Sequence, residues 1–306
     1  MRGVRGAWAD QTLAVLTTFI QQVIYGISYG MNLAVAAAGL ALLFGVYRVV
    51  NLAHGQQIML GGYTAYVVST SLGTPYLVGF VAAMIAMGLL GVLLEYGVFR
   101  FLRDRPLTDQ MLASLGVFML LGTLALRVWG DFQARTIYMP GRDSAILIGG
   151  LRLDASRIYT VLITIVLFAL LYLVVYRTHL GRMMRAMAQS EETAALMGIQ
   201  RRRIAAIVFF LAGALGGAAG ALLGGLFNVR PDMGFQPLLM ALVIIVFGGM
   251  GSIGGAVFAG LVIGILYNLS VFYVAPTLGD LVPFLVLLAV LMLRPEGIFG
   301  LPQRRA

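Results

Sequence analysis

The chain reads as a succession of long apolar runs, each bounded by charged or turn residues. The runs fall at 11–29, 30–48, 56–72, 77–100, 109–130, 157–177, 204–227, 237–251, 254–272 and 281–295. A helix needs about 20 mostly apolar residues to span the hydrocarbon core, within a range of about 17–25, so the spacing predicts up to ten membrane segments. The first two runs meet at Tyr29-Gly30 without a polar loop, and read either as two segments or as one span with a shallow extension. The run at 237–251 is short for a full crossing. The expectation is an all-α integral membrane protein: a polytopic bundle of about 8–10 transmembrane helices with Gly-interrupted segments, forming a single transmembrane domain over 1–306.

Composition reinforces this. Hydrophobic residues make up 60% of the chain and charged residues 11%, against about 45–50% and 25% in soluble domains. A soluble fold of this size would lack the polar surface to cover itself, whereas in a bilayer apolar helices face lipid. The 39 glycines suit membrane helices, where small residues let backbones approach. Cysteine is absent, and all 21 basic residues are arginine. Without lysine there is no Walker A loop to hold nucleotide phosphates and no Schiff base. His54 and His179 lack metal-ligand spacing. Neither a metal nor another cofactor is expected, and no catalytic residue. Ala7-Trp8-Ala9 resembles a cleavage site but precedes the apolar run instead of following it, so the first segment is expected to remain as an anchor.

The net charge of +9 is assigned to cytoplasmic loops and not to nucleic acid. Placing the start of the chain inside puts Arg2, Arg5, Arg48, Arg100, Arg103, Arg105, Arg177, Arg182, Arg185, Arg201, Arg202, Arg203, Arg294, Arg304 and Arg305 on that side. Arg127, Arg135, Arg142, Arg152, Arg157 and Arg230 remain outside, fifteen against six. Asp131, Asp143, Asp154, Asp232 and Asp280 nearly balance the external arginines. The positive-inside rule then predicts a multi-pass inner (plasma) membrane protein with both termini cytoplasmic. The stretch 131–156 becomes an extracytoplasmic loop, either an ordered cap facing a partner or a plain connector. The stretch 178–203 becomes a cytoplasmic loop.

Each half carries one Gly-rich interruption, Asn51-Leu52-Ala53-His54-Gly55 and Gly248-Gly249-Met250-Gly251-Ser252-Ile253-Gly254-Gly255. Paired interruptions of this kind point to a midplane path in transporters. Polar groups at membrane depth default to functional candidates, so Asn51, His54 and Gly55 read as path-lining or gating. The competing reading is a structural turn with His54 satisfied by backbone carbonyls. Gly248, Gly249, Gly251, Ser252 and Gly254 read as a tight helix crossing, Gly251 and Gly255 being four apart, or as a re-entrant break. Glu95 is expected in an interfacial ion pair with Arg100 or Arg103, and Arg127 at the outer interface.

Within the cytoplasmic loop, Ser190 is a good N-cap. Glu191 and Glu192 occupy a first turn that favours acids, and Gly198 is placed for a left-handed helix end. The helix body, Ala194-Ala195-Leu196-Met197, carries nothing long or charged. Such a helix suits docking to a cytoplasmic partner, with an amphipathic membrane-surface segment as the alternative.

Glu192-Thr193-Ala194-Ala195 followed by Gly198 resembles the EAA-type loop of ABC importer permeases. Five stretches, in order, are similar to the branched-chain amino acid ABC permease family, the LivH-like half: Tyr47–Leu60, Leu94–Leu107, Gly181–Ile199, Phe247–Gly260 and Leu293–Leu301. Thr193 departs from the family's more frequent alanine. The resemblance implies an ABC importer permease for branched-chain amino acids or similar small solutes such as urea, amides or organic acids. Its implied partners are a second related permease subunit, two cytoplasmic ABC ATPase subunits and a periplasmic solute-binding protein. Ser190, Glu191, Glu192, Thr193, Ala194, Ala195, Leu196 and Gly198 would form the ATPase-coupling helix. The rival is an ion-gradient-driven secondary transporter of small polar solutes, which should show intramembrane acids; only Glu95 is available. An integral membrane enzyme would need a catalytic cluster that the chain does not offer.

Overall fold

The computed structural model describes residues 2–130, 133–148, 151–294 and 296–300. Asp131, Leu301, Arg304 and Arg305, named above, lie outside the described residues. Among the described residues, seven helical stretches are long and apolar enough to cross a membrane: Val15–Tyr47, Tyr76–Phe101, Leu107–Trp129, Ala155–Arg177, Arg201–Leu226, Ile253–Tyr273 and Pro276–Leu293. The chain is the expected all-α polytopic membrane protein.

The apolar runs 11–29 and 30–48 form one unbroken helix, α1 (Arg2–Tyr47), about 69 Å long at 1.5 Å per residue. Glycine at Gly26 and Gly30 makes room for a neighbour and not for a turn. A Cβ on Gly26 would lie 2.6 Å from the Ile265 Cα, and one on Gly30 would lie 3.1 Å from the Gly264 Cα. Both belong to α10 (Ile253–Tyr273). Arg2 and Arg5 therefore begin α1 at the end opposite Arg48, a separation along the helix that the sequence reading, with all three on one side, did not anticipate.

Arg48, at φ 54, ends α1. The chain then turns back through a short non-helical stretch, 49–53, into α2 (His54–Tyr66) and a π-turn, Val67–Ser71. α3 (Tyr76–Gly97), α4 (Leu107–Trp129) and α5 (Ala155–Tyr172) follow. A hairpin of β1 (Ala145–Ile148) and β2 (Leu151–Asp154) precedes α5. Two short helices, α6 (His179–Gln189) and α7 (Glu191–Leu196), lead into α8 (Arg201–Leu226). After a second non-helical stretch, 227–234, come α9 (Phe235–Gly248), α10 and α11 (Leu281–Leu293).

Side-chain contacts fix which end of each helix is which. At the hairpin end, the Tyr25 hydroxyl donates to the Arg152 carbonyl (3.2 Å) and the Tyr76 hydroxyl to the Ala221 carbonyl (3.1 Å). At the other end, rich in arginine, the Tyr47 hydroxyl donates to the Arg201 carbonyl (3.0 Å), and Phe99 meets Phe209. α1 and α8 therefore run in opposite directions. α1 lies along α10 as α8 lies along α3. α2 rests on α8 as α9 rests on α1, and α4 touches α2 as α11 touches α9. Exchanging α1–α4 for α8–α11 maps the packing onto itself upside down, an inverted repeat of the kind transporters build around a midplane path. The hairpin, α5, α6 and α7 lie between the two copies.

Candidate functional site

The site begins where the chain is not helical. Stretch 49–53 leaves the arginine end and penetrates the bundle, with Val49, Asn51 and Ala53 buried. Irregular backbone at membrane depth survives only inside protein or beside a cavity. Here the Leu52 N–H is satisfied by the Ser114 hydroxyl of α4 at 3.1 Å. The turn delivers His54 to the middle of α1 and α8. Its Nε2–H donates to the Ala36 carbonyl (3.0 Å), and Nδ1 lies 3.2 Å from Gln57 Oε1. Gly39 and Gly216 clear the space: a Cβ on either would come within 3.0 Å of the imidazole Cε1. His54 is thus a fully buried, bonded strut. Asn51, 1% exposed, is different, since both amide atoms lack a partner among the described residues. Gln56 Oε1 and Gln110 Oε1 are also buried and unbonded. Orphaned polar atoms in a dry interior cost about 1–3 kcal/mol each, so this side of α2 is polar out of proportion to its bonding. Gln56, Gln57, Gln110 and Ser114 were not singled out from sequence; the signal was the polar pair Gln56-Gln57 one residue after the NLAHG turn.

The second break, 227–234, enters from the hairpin end, and Gly234 meets Gly55. It is this stretch that corresponds to 49–53 in the repeat. The Gly-rich run 248–255 sits elsewhere, as the tight turn joining α9 to α10 at the arginine end. Gly249 (φ 98) and Gly251 (φ 88) adopt left-handed backbone, and Ser252 caps α10 by accepting from the Gly255 N–H at 3.0 Å. Gly248 packs on Gly255 and Gly251 on Gly45, while a Cβ on Gly254 would meet nothing. Ile298 and Phe299 N–H groups donate to the Phe247 and Gly248 carbonyls and clip the turn shut. These glycines serve close packing and chain reversal, and lie apart from Asn51 and His54.

At the arginine end, α7 has the expected local chemistry. The Ser190 hydroxyl accepts from the Thr193 N–H at 3.2 Å, and Gly198 (φ 81) ends the helix. Ala194 is buried, whereas Glu192, Thr193 and Ala195 are exposed, and Leu196 and Met197 stand 89% and 66% exposed. Glu191 pairs with Arg201, whose backbone carbonyl holds the Tyr47 hydroxyl at the end of α1. Nearby, fully buried Glu95 pairs with Arg103, as expected. A cavity of about 70 Å³ between Tyr47, Arg103, Gln110, Glu191 and Arg201 joins the base of α7 to the start of the 49–53 stretch.

At the opposite end, residues 133–148 and 151–154 pack onto the bundle. The Arg142 guanidinium donates to the carbonyls of Ile137, Gly225 and Phe227 and to Asn228 Oδ1. Ile137 and Met139 fill the space left by Gly224 and Gly225. Tyr138, Ile146 and Leu147 point outward. Among the described residues no group of His, Cys, Asp and Glu could hold a metal.

The model of the family described as branched-chain amino acid transport system / permease component matches residues 22–291. The chain is 30% identical over 300 residues to the high-affinity branched-chain amino acid transport system permease protein LivH of Salmonella typhimurium, covering 93% of this chain and 96% of that one. It is 29% identical over 300 residues to BraD of Pseudomonas aeruginosa, a permease protein of the same description, covering 93% and 97%. Among solved structures, PsaBC from Streptococcus pneumoniae in complex with Fab shares the fold. The TM-score is 0.52 at 13% identity, over 91% of this chain and 92% of that one.

Proposed function

Because the chain belongs to the family of branched-chain amino acid transport permease components, we propose how its parts divide the work of import. The protein is a membrane-embedded permease subunit of an ABC importer. Branched-chain amino acids, or small solutes of similar chemistry, are the cargo we assign to it. ATP hydrolysis is assigned to two separate ATPase subunits, since the chain has no lysine to hold nucleotide phosphates. A second, related permease subunit completes the pore, and a solute-binding protein delivers cargo to the hairpin cap. The arginine-rich end, with α6 and α7, faces the cytoplasm.

One observation carries the docking reading. A six-residue helix, capped at both ends, holds Ala194 inward while Leu196 and Met197 are left in water. An apolar tip so exposed is stable in the assembled transporter only when a partner covers it. Movement at that tip reaches the polar face of α2 through Glu191, Arg201 and Tyr47. Asn51, His54 and Gly55 form the element that opens, while Gly248 to Gly254 hold α9 and α10 together at the arginine end, apart from it. Glu95 does not favour ion coupling, because its charge is already held by Arg103.

The test compares wild type with an Ala195→Glu/Gly198→Arg variant purified together with its ATPase subunits. The expected result is capture of the ATPase and solute-stimulated hydrolysis by wild type, with both lost in the variant. Solute movement by the chain alone, driven by an ion gradient, would overturn the reading.

A further inference from the structure

Beside α7 lies a cleft of about 480 Å³ that the coupling helix does not explain. One wall is α6, contributing His179, Arg182 and Met183; the other is the turn into α8, from Met197 and Ile199 to Arg203. Its floor is apolar, with Ile204 buried and Met183 packed against the core. Its rim is cationic and uncompensated. Arg103, Arg157, Arg201 and Arg230 each have a carboxylate partner, and Arg185 is tied to the Val175 carbonyl and faces the Tyr176 ring. Arg182 and Arg203 are exposed and have no ion pair among the described residues. Two free guanidinium groups above an apolar floor suit an anionic group, carboxylate or phosphate, carried next to an apolar one, because guanidinium binds either bidentately.

Position selects the source. Met197 and Gly198 belong both to the exposed tip of α7 and to the cleft wall. Whatever covers Leu196 also closes the cleft. We propose that this cleft is a second docking element, receiving an acidic side chain flanked by an apolar one from the ATPase subunit. The coupling helix is then the knob and the cleft the socket of one two-part joint. This inference rests on the docking reading above, and the experiment separates the two.

The ATPase subunits of the same transport system are titrated onto the purified chain in detergent, from about 50 to 300 mM NaCl, the range over which Debye screening becomes strong. Arg182→Ala and Arg203→Ala are expected to weaken binding by about tenfold each and to flatten its salt dependence, while Arg202→Ala, outside the cleft, leaves both unchanged. Size-exclusion elution at the wild-type volume excludes misfolding as the cause. If Leu196→Asp abolishes binding but Arg182→Ala and Arg203→Ala bind as wild type with the same salt dependence, the cleft has no docking role and the inference fails. If Leu196→Asp itself binds normally, the docking reading fails with it.

Discussion

Gly55 and Gly234 meet backbone to backbone where the two inward-turning stretches end: a Cβ on Gly55 would lie 2.7 Å from the Gly234 carbonyl oxygen. Carbonyl oxygens cannot swing aside as a flexible side chain does, so a methyl group here must push α2 and α9 apart. Gly55→Ala is expected to destabilise by about 1–3 kcal/mol and to lower the thermal midpoint in detergent. Gly116→Ala is the control, since a Cβ there meets nothing within 4 Å. It should be neutral or raise the midpoint, because glycine costs about 0.5–1 kcal/mol relative to alanine inside a helix. Equal midpoints for the two variants would sink the close-approach argument.

The Glu95–Arg103 pair makes a different prediction. Glu95 is fully buried and Arg103 is 13% exposed, so removing one partner strands the other charge. Glu95→Gln should cost roughly 3–5 kcal/mol, and replacing both residues with leucine should cost clearly less. Denaturation midpoints of the two variants, measured side by side, check the order. A double variant as unstable as the single one would contradict it.

Ser190→Ala removes the acceptor for the Thr193 N–H and should loosen α7 by about 1 kcal/mol. α7 touches the bundle only through a few residues, among them Ala194 and Glu191, so the thermal midpoint of the membrane body should shift little while solute-stimulated ATPase activity falls. A shifted midpoint with unchanged stimulation would show that the cap supports the fold and not the coupling.

Sidedness can be mapped directly, because the chain contains no cysteine. Single cysteines at Leu13 (59% exposed), Leu147 (76%) and Leu196 (89%) sample both ends of the molecule. A membrane-impermeant maleimide applied to intact cells should label Leu13→Cys and Leu147→Cys and spare Leu196→Cys. Labelling at Leu147 but not at Leu13 would mean that α1 does not run through as one crossing.

Much of this was legible in the sequence, and for identifiable reasons. Runs of apolar residues announce membrane helices because length alone sets the span. The α7 cap was readable because Ser190 and Gly198 act on neighbours within one turn. Glu95 could be paired with Arg103 because the two are close in sequence. What the sequence hid depended on packing between distant segments. Tyr29-Gly30 looks like a boundary, yet glycine there admits α10, and nothing local distinguishes the two uses. The run 248–255 looks like the partner of 51–55 because both are glycine-rich. The true counterpart, 227–234, holds Asn228, Pro231, Asp232 and a single glycine at Gly234, and declares itself only through the inverted packing. Whether His54 was bonded depended on the carbonyl of Ala36, 18 residues away.

The inverted repeat has a last consequence. A body that maps onto itself when turned over has no built-in arrow: its two halves open to the two sides of the membrane by the same geometry, and neither side is favoured by the repeat itself. Vectorial flow must therefore come from what breaks the likeness. The chain places both such features in the segment between the copies, the Arg142-pinned hairpin at one pole and the α6–α7 pair at the other. On the proposed reading, direction is set in the roughly seventy residues between the copies, where the partners dock, and the core between them can stay symmetric.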